Sequence, residues 1–131
     1  LGVRNQPEFD YEPGPEVAQV YRDAGIEQAD VDGFYTYDAF TPNVWFALER
    51  WGFSEPGEAY RDTRDGAVSV DGWLPVNTNG GLTSDGHVLG WNQMVEMYDQ
   101  LAGRAGDRQV ADASCVQWAS PFGDTILLRN A

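Results

Sequence analysis

The chain has 131 residues, 42% of them hydrophobic and 13% aromatic, and carries a formal charge of −13 from 21 acidic residues against 8 arginines. That is one folded domain's worth of chain, and its charge disfavours nucleic acid and anionic membranes as partners. A single cysteine, Cys115, excludes an internal disulfide and cannot alone build a thiolate metal site, and no apolar run is long enough to span a membrane.

Residues 1–12 read as an extended, proline-bearing arm, and residues 13–131 as the domain. No signal-peptide pattern precedes the first element, so a cytoplasmic location is expected. Because the first residue is not methionine, the chain is expected to be a processed or trimmed piece of something longer. Residues 15–25 predict a helix, with Pro15 in the first turn, Val17, Val20, Tyr21 and Ala24 on one face, and Gly25 as the stop. Residues 33–37, Gly-Phe-Tyr-Thr-Tyr, predict a strand that delivers Tyr37-Asp38-Ala39-Phe40 at its carboxyl end. Thr41 as cap and Pro42 as first residue open a second helix running to Gly52. Residues 53–72 read as a long polar loop, a candidate lid or interface segment.

The centre of the chain is residues 73–90. An apolar strand piece, Trp73-Leu74-Pro75-Val76, enters the turn Asn77-Thr78-Asn79-Gly80-Gly81. Ser84 or Asp85 is placed to cap a helix led by Gly86-His87, which holds the only histidine. That helix is predicted to bury one face made of Val88, Trp91, Met94, Val95, Tyr98 and Leu101 and to end at Gly103. Two short strands, within residues 109–118 and 124–129, form an antiparallel hairpin. The whole is an α/β domain with a mixed sheet and helices packed on it.

Tyr37, at a strand end, and His87, at a helix start, are the residues this order brings near one another. An imidazole takes or gives a proton near neutral pH, and a phenol donates to a developing oxyanion or acts as an acid/base of higher pKa. Backbone N–H groups near residues 86–88 would add polarity of the same sign. The pair suits chemistry through an enolate at a carbonyl. Tyr37 reads equally well as an interior aromatic, and Cys115 as a small buried filler.

Three spaced blocks carry a resemblance: Tyr37-Asp38-Ala39-Phe40, Asn77-Thr78-Asn79-Gly80-Gly81, and Gly86-His87-Val88-Leu89-Gly90. They resemble the (Asn or His)-Glu-Ala-Phe, Asn-x-(Asn/Asp)-Gly-Gly and Gly-His-Pro-x-Gly blocks of the C-terminal half of the thiolase superfamily, in order, from about residue 13 onward. Three departures from that pattern are informative. Tyr37 replaces Asn or His, Val88 replaces proline, and Cys115-Val-Gln-Trp-Ala-Ser-Pro-Phe-Gly123 stands where the family has Cys-x-Gly-Gly-Gly-x-Gly. The tyrosine makes the chain most similar to the sterol-carrier or lipid-transfer branch, which includes steroid side-chain aldolases.

The resemblance implies a thiolase-fold C-terminal domain of an acyl-CoA enzyme that breaks or forms a carbon–carbon bond at a CoA thioester. The CoA thioester would be the substrate, with no bound cofactor or metal. His87 would be base or oxyanion donor and Tyr37 its acid partner; the participation of Asp38 and Cys115 is open. It also implies a missing N-terminal half in cis or in trans, a homodimer of the full protein, and an OB-fold partner as in the aldolases. The alternative is a catalytically silent thiolase-like subunit that binds acyl-CoA or lipid, or scaffolds a complex.

Overall fold

The computed structural model describes residues 13–131; the expected arm over residues 1–12 lies outside the described residues. The first helix, α1, runs Pro15–Ala24, and Gly25 ends it at φ 66°, a left-handed conformation that costs glycine least. Val17 and Tyr21 are its buried residues, as the spacing predicts. A single 3₁₀ turn, Gln28–Asp30, leads into β1, Gly33–Tyr35.

Three strands make the sheet: β1, β2 (Cys115–Ala119) and β3 (Thr125–Arg129), in that order. β2 pairs parallel to β1, with Gly33 opposite Val116, and antiparallel to β3, with Cys115 opposite Arg129. The hairpin is as predicted, although β2 is shorter than its apolar pattern. The piece 73–76 does not become a strand. It makes one parallel bridge, Val76 to Phe34, because Pro75 has no N–H with which to extend the ladder. Its carbonyl accepts from Phe34 N–H at 2.8 Å, and Asn77 N–H donates to the Phe34 carbonyl at 3.0 Å.

Alternate residues of β1 feed the two faces of the sheet. Phe34 joins Val17, Tyr21, Leu48, Trp51, Cys115 and Ala119 on one side. Tyr35 joins Met97 and Val116 on the other. The first side is covered by α1 and by α2, Pro42–Arg50. Pro42 starts α2 as expected, but Thr41 makes no side-chain cap and is itself helical. The predicted loop 53–72 contains a one-turn helix, α3, Ala59–Asp62. The buried Glu49 carboxylate on α2 accepts the Ala59 N–H at 3.2 Å and so anchors it.

Two more helices follow the bridge: α4, Gly81–Asp85, and α5, Trp91–Leu101. The predicted buried face of α5 is overturned in part. Met94 and Leu101 pack against the second core cluster, but Trp91, Val95 and Tyr98 are 73%, 60% and 56% exposed. The buried residues are Asn92, Gln93, Glu96, Met97 and Gln100.

Polar partners hold this polar face inward. Thr78 Oγ1–H donates to Glu96 Oε1 at 2.7 Å, Gln100 Nε2–H donates to the same oxygen at 3.0 Å, and Arg108 Nη2–H reaches Glu96 Oε2 at 2.9 Å. Gln100 also donates to the Arg108 carbonyl and accepts from Val110 N–H. A buried carboxylate so paired costs little, whereas one stripped of its partners is strongly destabilising.

Burial pushes the Glu96 carboxyl up, but the donors from Arg108, Thr78 and Gln100, together with the arginine's charge, outweigh it and hold the group below its usual 4.5. A carboxyl depressed in the folded state adds stability above its unfolded pKa and loses it as pH falls through the folded one. The stability advantage of wild type over Glu96→Gln, read from urea midpoints, should therefore be full at neutral pH and shrink as the pH falls below 4.5. A gap unchanged down to about pH 3 would count against this assignment.

Candidate active site

Two loops meet at the carboxyl end of β1. The first, residues 36–40, leaves the sheet where the ladder has no further backbone partner. Asn77 supplies one with its side chain. Thr36 N–H donates to Asn77 Oδ1 at 2.9 Å, and Asn77 Nδ2–H donates back to the Thr36 carbonyl at 3.1 Å. Asn77 sits at φ 45°, a conformation asparagine tolerates better than most residues. The pairing extends β1 by one residue and sets the direction in which Tyr37 departs.

The second loop, residues 86–90, joins α4 to α5 and carries His87. Its backbone takes positive φ at Gly86, Leu89 and Gly90. The helix expected to begin at His87 begins instead at Trp91, with Gly90 at its N-cap and no side-chain cap. Ser84 and Asp85 belong to α4, which Gly86 ends at φ 90°. Glycines at residues 80, 81, 86 and 90 cut the pattern into one short helix and one longer one, so His87 sits in the loop between them and not in a helix's first turn.

The structure still brings the two predicted residues together. His87 Nε2 and Tyr37 Oη lie 2.6 Å apart, and the rings meet edge to face, with centroids 5.5 Å apart and planes at 63°. With the imidazole proton on Nδ1, Nε2 accepts the phenolic hydrogen; the other tautomer reverses the bond. Tyr37 is half-buried and His87 exposed. A proton can pass between them, and both face solvent for a reacting group.

Asp38 has a structural task beside this pair. Its Oδ1 accepts from Leu82 N–H at 3.0 Å and from Gln93 Nε2–H at 3.3 Å, tying the first loop to α4 and α5. A Cβ at Gly81, where φ is 67°, would collide with this carboxylate. Asn92 Nδ2–H donates to the Gly86 carbonyl at 3.4 Å and steadies the second loop from α5. The sequence pattern did not single out Gln93, Glu96 or Thr78. For Gln93 and Glu96 the only signal was a polar stripe on α5 at residues 93, 96 and 100, opposite the apolar one; Thr78 stood unremarked inside the 77–81 turn.

Tyr35 is no substitute acid. Burial pushes its hydroxyl up to about 12 despite its hydrogen bond with Thr78 at 2.9 Å. Cys115 is a filler, as its surroundings suggested. It opens β2, which runs parallel to β1, and its carbonyl accepts from Asp32 N–H, so it lies at the end of the sheet opposite Tyr37. Burial and the charges of Asp32 and Asp30 raise its thiol pKa. Among the described residues no group of three or more His, Cys, Asp or Glu is placed to hold a metal.

These elements are those of a known family. The profile described as "Thiolase C-terminal domain-like" matches residues 14–122. The chain therefore belongs to the thiolase C-terminal-like family.

Among its relatives, it is 41% identical over 96 residues to an acetyl-CoA acetyltransferase of Methanothermobacter thermautotrophicus, covering 71% of this chain and 25% of that protein. It is 39% identical over 100 residues to the 17-hydroxy-3-oxo-4-pregnene-20-carboxyl-CoA lyase of Mycobacterium tuberculosis, covering 75% and 26%. A solved structure, the Ltp2-ChsH2(DUF35) aldolase, superposes with a TM-score of 0.77 at 30% identity, over 86% of this chain and 30% of the other. The chain thus spans about a quarter of the length of these two curated relatives. No helix among the described residues is long and apolar enough to cross a membrane.

Two substitutions test this construction. Asn77→Ala removes both bonds to Thr36 and should lower unfolding stability by about 1–3 kcal/mol. Gly81→Ala should cost at least as much, through the collision with Asp38 and a strained positive φ, roughly 1–3 kcal/mol. Denaturant titration reads both, and a neutral Gly81→Ala would contradict the proximity of Asp38.

Proposed function

We propose that this chain is the C-terminal domain of a thiolase-like enzyme that makes or breaks a carbon–carbon bond next to a CoA thioester. Tyr37 and His87 are its acid/base pair. The observation that carries the reading is the 2.6 Å contact of Tyr37 Oη with His87 Nε2. The same chemistry is named in the relatives, one an acetyl-CoA acetyltransferase and one a carboxyl-CoA lyase.

In the cleavage direction the substrate is a β-hydroxyacyl-CoA. His87 takes the β-hydroxyl proton, the new carbonyl forms as the Cα–Cβ bond breaks, and the bonding pair moves onto the thioester as an enolate. The Tyr37 hydroxyl donates to the enolate and returns a proton to Cα, and His87 re-protonates Tyr37 across their shared hydrogen bond. Proton and electron pair balance, with a ketone or aldehyde and a shortened acyl-CoA as products. In the thiolytic direction a thiol supplied elsewhere in the protein would attack the β-carbonyl of a β-ketoacyl-CoA and leave bearing the acyl group, while the Cα–Cβ pair departs as the same enolate; the condensing direction is the reverse.

The remaining part of a protein of its relatives' length, in cis or in trans, belongs to this reading. So do a homodimer of the complete protein, an OB-fold partner and a cytoplasmic location.

The test is turnover of β-hydroxyacyl-CoA and β-ketoacyl-CoA by the protein at its natural length, with CoA-ester products followed by mass. Tyr37→Phe and His87→Ala should each lower kcat by about 10²–10⁴-fold, with KM little changed and the melting transition intact. If both variants turn over like wild type, the acid/base assignment fails. If no thioester is turned over by wild type, the enzyme reading fails with it.

A further inference from the structure

His87 is exposed, and the loop that carries it does little by itself to hold it. Its backbone turns through positive φ at Gly86, Leu89 and Gly90, and a bond from Trp91 N–H to the Val88 carbonyl, at 3.2 Å, closes it. At the start of the loop Asn92 reaches the Gly86 carbonyl across 3.4 Å. Such a segment keeps an imidazole 2.6 Å from a phenol only if something firm bears on it.

The firm element is β2. Trp118 stands opposite Tyr35 of β1 and Ile126 of β3, in the middle strand of the sheet, and its carbonyl accepts from Thr125 Oγ1–H at 2.8 Å. Its side chain packs on the second core cluster, that of Tyr35, Met97 and Val116. From there the indole reaches the end of the His87 loop. A Cβ placed on Gly90 would lie 3.5, 3.7 and 3.8 Å from Nε1, Cζ2 and Cε2 of Trp118, ordinary contact distances. Gly90 is also the N-cap of α5, at φ 90° and ψ −8°. It is the last point at which the loop can turn before the helix fixes the backbone, so what bears on it sets the path that presents His87.

Two further facts mark this contact as more than filling. Trp118 Nε1 is buried and has no hydrogen-bond partner among the described residues. An unpaired buried donor costs stability, and a phenylalanine would avoid that cost. The atoms that meet Gly90, however, belong to the pyrrole edge and the fused ring, which phenylalanine lacks. The stretch 115–123 also departs from the glycine-rich block of the resemblance, and a glycine could not make this contact at all.

We infer that Trp118 is a positioning residue for His87: its indole bears on Gly90 and holds the loop so that Nε2 meets Tyr37 Oη. One sheet then sets both partners, since β1 leads through Thr36 into Tyr37 while its neighbour β2 carries Trp118. The inference rests on the proposed acid/base pair for its effect on turnover, and on the contact alone for its effect on the imidazole.

The experiment compares Trp118→Phe with wild type at natural length, with the subunits that accompany it; Trp118→Met takes its place should that variant fold poorly. For thioester turnover, kcat should fall about tenfold to a hundredfold with KM within about twofold, and the melting transition should stay near that of wild type. In protein isotopically labelled on the histidine nitrogens, the His87 signals, assigned by their loss in His87→Gln, should move at least halfway toward those in Tyr37→Phe. Benzothienylalanine in place of Trp118 keeps the bicyclic shape without the N–H and should restore both readouts. Val116→Ala, a truncation in the same core cluster, should lower the melting temperature and leave kcat and the imidazole signals as in wild type.

Imidazole signals unmoved by the loss of the indole would overturn the inference. So would a fall in turnover that only tracks the fraction unfolded, or a benzothienylalanine variant as impaired as Trp118→Phe. If wild type turns over no thioester, the proposed reaction falls, and the imidazole signals alone decide whether Trp118 positions His87.

Discussion

The site depends on the double hydrogen bond between the Asn77 side chain and the Thr36 backbone. At the end of β1 the neighbouring segment turns away at Asn77, whose φ is 45°, and offers no further backbone ladder. A buried backbone N–H and carbonyl left there without partners would cost several kcal/mol. An asparagine amide presents one acceptor and one donor in the spacing of a peptide group, so it carries the pairing one residue past the last backbone bridge. Because Asn77 also begins the glycine turn, one residue couples the loop holding Tyr37 to the segment that later supplies His87. Asp38 makes the second tie, reaching across to Leu82 N–H and Gln93. The Tyr37–His87 contact is therefore the outcome of two fixed loop origins rather than of a freely placed pair.

The second organising feature is the polar back of α5. Glu96, Gln100, Thr78 and Arg108 form one connected set around a carboxylate that is only 3% exposed. Such a network holds a single rotation of the helix, since turning it by one residue would leave several buried groups unpaired. That rotation sends Trp91, Val95 and Tyr98 outward. Internal polar satisfaction and external apolar exposure are thus two sides of the same choice.

The two ends of the sheet are used differently. The carboxyl end of β1 carries the flexible-backbone turns, the half-buried phenol and the imidazole. The amino end carries Cys115 and Asp32, whose carboxylate accepts from the backbone N–H groups of Ser114 and Cys115. That end is a structural joint between β1 and β2. The Tyr37–His87 pair and the stitching are separated by the length of the strand, and a thiol pushed up by burial is of little use as a nucleophile.

Much of this was legible in the chain itself. Local rules placed α1 and α2, because Pro15, Pro42 and Gly25 act on their own neighbours whatever the fold. The hairpin and the turn chemistry were readable for the same reason, and the three spaced blocks were enough to mark the family and both residues of the pair. Three things were decided only in three dimensions. Pro75 reduced an apolar segment to a single bridge, because whether it must donate depends on which strand lies beside it. The glycines at residues 86 and 90 moved the helix start away from His87, because their φ values are set by loops that must reach β1. The outward face of α5 was read as core, because an apolar period does not say which face of a helix the sheet takes. That depends on where the polar groups of the opposite face find their partners, and those lie far away along the chain.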